Sequence, residues 1–200
     1  INGTSIFNFG DISTCSTHAT KLFHTVEGGF MVTKTQKLLN EINYMRNFGH
    51  SGPETYHGIG INGKNSEFHA AMGLVNLNQL QSICEKRKQL TNAYDENLKK
   101  FNVLKPKWHK NSSSNYAYYP VLFESEELLL KCIHKLSLNK IFGRRYFYPS
   151  LASCLPYIEH KYLLNTDDIA KRIFCLPLYH DLSLKDVDLI CNLLIKTLNN

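Results

Sequence analysis

The stretch from Phe9 to Thr33, FGDISTCSTHATKLFHTVEGGFMVT, decides how the chain is read. Ser16, Thr17 and Thr20 set hydroxyls within one short turn of Lys21. Alone, a lysine after a Ser/Thr-rich segment says little, because most lysines are solvated surface residues. A lysine that acts as a nucleophile must be partly desolvated, so that its amine can be neutral. Hydroxyls and backbone N–H groups nearby suit the phosphate of a ligand that such an amine would attack. The pair Gly28-Gly29 lets backbone pack where a side chain would not fit. Residues 11–20 are too rich in Ser and Thr to read as a strand, whereas Phe30-Met31-Val32-Thr33 is a short β-type run.

Outward from this stretch, Thr35 to Phe48 reads as a helix, with Leu38, Leu39, Ile42 and Met45 at helical spacing. Gly49 to Lys64 carries Gly49, Gly52, Pro53, Gly58, Gly60 and Gly63, which predicts a long irregular loop. Ser66 caps a long helix with Glu67 in its first turn. Ala70, Gly73, Leu74, Leu77, Leu80 and Cys84 are expected on one face of it, and it runs to about Phe101. Ser112 to Asn115 is a loop. Beyond it the order is strand (Tyr116 to Phe123), helix (Glu126 to Ser137) and an extended segment (Ile141 to Tyr148). A short helix opened by Asp167 or Asp168, an extended piece (Leu176 to Leu178) and a helix capped by Ser183 with Asp186 complete it. That alternation is an α/β layered domain.

The 200 residues suffice for one or two domains, with 43% hydrophobic and 20% charged residues, the balance of an ordinary globular protein. No apolar run has the length of a membrane span, and no signal peptide opens the chain. The net charge of +6 comes from scattered basic residues, many beside acids as in Glu85-Lys86-Arg87-Lys88. This fits a solvated helical face, and no nucleic-acid partner is expected. Cys15, Cys84, Cys132, Cys154, Cys175 and Cys191 form no C-x-x-C pair and no zinc spacing, so no metal site is expected. They fit a reducing cytoplasm. Ile1 and the strand-like INGTSIFNFG opening are expected of a fragment.

Five segments in order resemble one family. The Phe9–Thr33 stretch is similar to the lysine segment of the DegT/DnrJ/EryC1/StrS aminotransferases, F-G-D followed by F-S-x-H-x-x-K and E-G-G. Gly60-Ile61-Asn62, Ser66-Glu67 and Ala70-Ala71-Met72-Gly73-Leu74 resemble its G-x-N…S-E…A-A-x-G-L segment. Asn115 to Tyr119 resembles its first small-domain strand, Arg144 to Pro149 its R-x-Y-x-x-P segment, and Leu176-Pro177-Leu178-Tyr179 its L-P-L-H segment. The resemblance covers nearly the whole chain. It implies the C-terminal part of an aspartate-aminotransferase-type (fold type I) protein. Residues 1–75 would be a remnant of the large domain that binds pyridoxal 5'-phosphate (PLP), and 76–200 a connecting helix with the α/β small domain.

The resemblance also implies roles. Lys21 would carry PLP as a Schiff base and shuttle a proton; Ser16 would contact its phosphate, and Asn62 the phosphate of the other subunit's cofactor. The implied protein is a homodimer with shared active sites. It moves an amino group from an amino acid, expected to be glutamate, to a nucleotide-linked keto-deoxysugar, expected to be dTDP-linked, in sugar or polysaccharide biosynthesis. His18, Lys64, Arg144 and Tyr146 are candidate substrate contacts. His18 reads equally as a hydrogen-bonded turn residue, and Tyr146 as core. Since adjacent strand residues face opposite ways, at most one of Arg144 and Arg145 meets phosphate. Cys15 and Tyr179 depart from the pattern, and Lys64 stands where an arginine is usual, a point charge in place of a fork. The family's glycine-rich phosphate turn, stacked aromatic and ring-pairing acid have no counterpart, so the isolated chain is expected to be inactive. A non-catalytic relic or dimerisation module is the alternative.

Overall fold

The computed structural model describes residues 1–101 and 103–199. They form two compact units, Ile1–Gln81 with Asn111–Ser113, and Ser82–Lys110 with Ser114–Asn200.

The first unit is built from short pieces. Strand β1 (Ile12–Ser16) pairs antiparallel with β2 (Gly29–Thr33), in a register that sets Ser16 opposite Gly29 and Cys15 opposite Phe30. The Ser/Thr-rich run is therefore a strand after all: its hydroxyls lie on a two-stranded sheet, where β-branched threonine is at ease. Helix α1 (Gln36–Met45) starts where the Thr35 hydroxyl accepts the Leu38 N–H at 3.3 Å, and it ends sooner than the expected Phe48. The glycine-rich segment is not wholly irregular. It holds a small hairpin, β3 (His50–Gly52) with β4 (Thr55–Tyr56).

Helix α2 (Glu67–Leu98) starts as expected, the Ser66 hydroxyl accepting the His69 N–H at 3.3 Å. It stops three residues before Phe101. Its expected apolar face is not buried in its first part: Leu74 is 68% and Leu77 56% exposed. Burial begins farther along, at Leu90, Tyr94 and Leu98. Among the described residues, no apolar side chain before Leu90 is buried, so the first unit has no hydrophobic core of its own.

The second unit has that core. Strand β5 (Tyr119–Leu122) pairs antiparallel with β6 (Ile173–Leu176), Pro120 opposite Cys175. Single bridges extend this sheet on both sides, Leu104 to Leu122 and Arg144 to Cys175. The expected strand at Ile141–Tyr148 is thus reduced to the Arg144 bridge. The strand expected at Leu176–Leu178 lies three residues earlier, where four consecutive residues are buried. Helices α3 (Glu126–Leu138) and α6 (Leu184–Leu198) bury Leu129, Cys132 and Leu136, and Val187, Ile190, Cys191 and Leu194, in one cluster with Val121, Phe123 and Phe174. Full burial of a Leu or Val side chain is worth about 1.5–3 kcal/mol, so this cluster dominates the unit's stability.

Helix ends follow their residues. Ser125 caps α3. Ser183 and Asp186 form a reciprocal capping box on α6. A single turn, α4 (Leu151–Cys154), precedes α5 (Leu164–Arg172). The latter opens three residues before Asp167, because the Asp167 carboxylate reaches back to the Leu163 N–H at 2.7 Å and also accepts the Ser153 hydroxyl at 3.0 Å.

Candidate functional site

Lys21 sits on the exposed turn that follows β1, so the desolvation expected of a nucleophilic lysine is not supplied by the described residues. Two hydrogen bonds through His18 fix this turn. The His18 N–H reaches the Ser16 hydroxyl at 3.4 Å, and the Lys21 N–H donates to the His18 carbonyl at 2.9 Å. Ser16 and Lys21 are therefore tied through one intervening backbone unit. The His18 ring is occupied too. Its Nδ1 accepts the Thr20 N–H at 3.2 Å and lies 2.9 Å from the Thr20 hydroxyl, while Nε2 faces the Glu27 carboxylate at 3.4 Å. With Nδ1 accepting a backbone proton, Nε2 carries the ring's hydrogen, directed at Glu27. These bonds fit a turn-stabilising His18, and nearly half its side chain remains open to solvent.

Beneath the turn lies a pair of threonines, of which the sequence singled out Thr17 alone, as a hydroxyl near a phosphate. Thr17 and Thr25 are buried, and their hydroxyls meet at 2.7 Å. Thr25 donates to the Glu27 carbonyl at 2.8 Å, so Thr17 donates to Thr25. The Thr17 N–H bonds Gly28 O at 2.9 Å and the Thr25 N–H bonds Thr17 O at 2.8 Å, closing the lysine turn as a stapled loop. The glycine pair is required here. A Cβ on Gly28 (φ 148°) would lie 2.5 Å from Thr25 Oγ1, and one on Gly29 would lie 2.7 Å from Cys15 O. Helix α2 leans on the same loop. A Cβ on Gly73 would meet the Thr25 methyl at 2.8 Å, and the Asn76 amide donates to His24 O at 2.9 Å. Thr25, Gly73 and Asn76 were not singled out by chemistry; the G-L motif around Gly73 was the available signal.

Asn62 and Lys64 are brought together, the Lys64 ammonium donating to Asn62 Oδ1 at 2.9 Å from 4.1 Å above the Phe48 ring. Backbone bonds from Phe48 N–H to Ile61 O and from Gly63 N–H to Arg46 O hold this segment against the end of α1. An open groove of about 420 Å³ runs between Thr14–Cys15 with Gly28–Met31 on one wall and Gly63–Asn65 on the other. Lys64 supplies its cationic rim, and Ser16 follows directly on Cys15. A primary amine, a hydroxyl and an ammonium on one unit form a donor set that fits the aldehyde and phosphate ends of PLP.

Arg144 and Tyr146 belong to the second unit. Arg144 exchanges both backbone bonds with Cys175, and its exposed guanidinium donates to the Tyr146 hydroxyl at 3.0 Å. Tyr146 meets Tyr118 edge to face at 5.5 Å and stacks on Phe147 at 4.6 Å. Arg145 faces the other way, as adjacent residues should. It bonds Glu126 and Lys171 O, each at 2.8 Å, and stacks 3.5 Å over Tyr148. Of the two arginines only Arg144 is left for a ligand. Among the described residues, no group of three or more His, Cys, Asp or Glu side chains is gathered for a metal, and no helix is long and apolar enough to cross a membrane.

The model of the DegT/DnrJ/EryC1/StrS aminotransferase family matches residues 1–195. The dTDP-4-amino-4,6-dideoxy-D-glucose transaminase of Shigella dysenteriae is 34% identical over 90% of this chain and 50% of its own length. The UDP-4-amino-4,6-dideoxy-N-acetyl-beta-L-altrosamine transaminase of Campylobacter jejuni (strain 81-176) is 26% identical over 98% of this chain and 54% of its own. Among solved structures, DesI with its TDP-sugar product superposes with TM-score 0.87 at 28% identity, covering 97% of this chain and 51% of that one. The aminotransferase TlmJ of Streptoalloteichus hindustanus gives 0.90 at 20% identity, over 100% and 55%, a likeness of fold. The chain spans about half the length of the relatives it matches.

Proposed function

The chain belongs to the DegT/DnrJ/EryC1/StrS aminotransferase family, and we propose that it serves PLP-dependent transamination of a nucleotide-linked keto-deoxysugar, dTDP-linked, with an amino acid such as glutamate as donor. The observation that carries this reading is the stapled turn. It uses one buried hydroxyl pair and two obligatory glycines to hold a short turn that carries the Lys21 amine, with the Ser16 hydroxyl tied to the same turn through the His18 N–H. PLP, when bound, supplies the electron sink for moving the amino group. Lys21 Nζ would hold the cofactor and would move a proton at the substrate carbon, which requires hydrogen-bond reach. Ser16 Oγ would hold the phosphate. Asn62, whose Oδ1 accepts the Lys64 ammonium, would use its amide N–H toward the phosphate of a second subunit's cofactor, and Lys64 would add the positive charge of a point donor. Arg144 and Tyr146 orient the sugar nucleotide, and the Arg144 fork suits its phosphates. The relatives named for dTDP and TDP sugars support this substrate class.

The apolar surface of the first unit supports a second element of the proposal. Residues 1–75, the large-domain part, work only when further polypeptide and a second subunit cover them, and the isolated chain is inactive. Joining the N-terminal half of the Shigella dysenteriae transaminase to this chain tests both elements. The chimera is expected to acquire visible PLP absorbance, and to aminate a dTDP-4-keto-6-deoxyhexose from glutamate, both lost in Lys21→Ala. The isolated chain should show no Lys21-dependent absorbance; a stoichiometric one overturns the requirement for a complement. A folded, PLP-binding chimera whose transamination survives Lys21→Ala overturns the assignment of Lys21.

A further inference from the structure

The second unit holds a groove of about 320 Å³ lined entirely by its own residues. Its walls come from three places: Asn92 and Asp95 on α2, Lys105 to Trp108 with Ser114 and Tyr116 beyond it, and the start of β5. The Trp108 indole is 69% exposed at its rim, and Tyr116 and Tyr118 line the same concavity. Exposed aromatic faces around a concave site are costly in water and characterise ligand sites.

The polar groups narrow the ligand class. Asp95 Oδ1 accepts the Lys105 ammonium at 2.5 Å and the Tyr119 hydroxyl at 2.6 Å. Its second oxygen carries no hydrogen bond among the described residues, and neither does the Asn92 amide. The groove therefore offers a fixed carboxylate acceptor and an amide that both accepts and donates, beside aromatic faces. Lys105 neutralises the carboxylate, so the groove favours a neutral ligand and gives a phosphate no unpaired cation. Vicinal hydroxyls on one edge of a ring, with C–H groups on its face, match that set. A carboxylate and an amide bond the hydroxyls, and the aromatic rings cover the apolar face.

We propose that this groove binds the ring of a neutral saccharide, in addition to the nucleotide-linked sugar of the proposed reaction. The idea does not depend on Lys21 chemistry. Within the second unit, the Tyr118 ring that lines the groove also meets Tyr146 edge to face.

Trp108 is the sole tryptophan of the chain, so its emission reports directly on the groove. Titration of the protein with glucose, galactose, mannose and L-rhamnose is expected to change that emission saturably for at least one sugar. The midpoint should be on the order of millimolar, as expected of a small shallow site. Asn92→Ala, an exposed helix position, and Tyr116→Ala should each weaken binding about tenfold. Saturation-transfer NMR on the sugar C–H protons runs alongside, because an indole can stay spectrally silent. Saturable transfer lost in Asn92→Ala supports the proposal even without an emission change. No sugar binding by either readout overturns it. Binding unaltered in both variants places the sugar elsewhere and overturns it too. A response to thymidine with none to any sugar reassigns the groove to a nucleobase and likewise overturns it.

Discussion

Thr17 and Thr25, eight residues apart, share a buried hydroxyl pair at 2.7 Å, and the Lys21 turn is the chain between them. Removing one partner of a buried pair costs about 1–3 kcal/mol. Thr17→Val keeps the shape but leaves Thr25 without its incoming proton. We expect local opening of the turn to become easier by about 1–2 kcal/mol, read as roughly tenfold or greater acceleration of hydrogen exchange at the Thr17 and Thr25 amides. Exchange in α3 and α6, whose core is separate, should not change. Parental exchange at both amides shows that the pair does not hold the turn.

Acid should act through two carboxylates in the second unit. The Leu163 N–H, with Ser153, holds the Asp167 carboxyl below its usual range, and the Ser183 hydroxyl and N–H do the same for Asp186. A depressed folded value means the unfolded chain binds protons first as pH falls. Their stabilisation is therefore full above about pH 4, the ordinary unfolded carboxylate value, and is lost as pH drops toward the folded values. Urea melts between pH 6 and pH 3 should show stability falling across that window. In Asp167→Asn with Asp186→Asn the fall should be shallower, starting from a lower plateau. An acid limb as steep as the parent's assigns the effect to other carboxylates.

Much of this was legible because local chemistry and tertiary structure agree. Thr35, Ser66, Ser125 and Ser183 each offer a hydroxyl to an amide at a helix start, and those starts were found. Ser183 with Asp186 even gave its reciprocal geometry. The failures have physical causes. Asp167 bonds an amide from inside the first turn of α5, which hides the boundary. The 141–148 strand shrank to one bridge because Tyr146 and Phe147 stack on each other and Tyr148 lies under Arg145 instead of continuing the sheet. The α2 face from Ala70 to Leu80 has the period of a core face, yet its partner is not within the described residues. At the site, Lys21, Ser16 and Gly28-Gly29 were visible as a motif. The Thr17–Thr25 staple was not, because it joins positions with no helical or strand period.

The cysteines divide by burial. Desolvation pushes the thiols of Cys132 and Cys175 up to about 11 and that of Cys191 up to about 12. The thiolate is the reactive form, so these three are nearly inert near pH 8. Cys15, Cys84 and Cys154 are only half-buried. Iodoacetamide on the native protein should modify the latter group first, and the buried three only once urea unfolds the second unit. Peptide mass spectrometry reads the order. Early modification of Cys191 contradicts the packing of α6.

Along the first part of α2, Phe68, Leu74, Val75 and Leu77 stand in solvent, each more than half exposed. Lone exposed apolar residues are ordinary, but four large ones within ten residues of one helix mark a surface that another polypeptide covers. With that cover absent, the isolated chain should self-associate through this set at micromolar concentration. Lysine forms helix nearly as well as leucine, so Leu74→Lys with Leu77→Lys should keep α2 and leave second-unit stability within about 0.5 kcal/mol. Sedimentation velocity of parent and variant then isolates the surface. We expect the parent to show a concentration-dependent rise in sedimentation coefficient, and the variant to show a smaller rise or none. Equal rises in the two, with unchanged helical circular dichroism, place the associating surface elsewhere in the first unit, such as the exposed Phe9, Ile12 and Phe30 around β1 and β2.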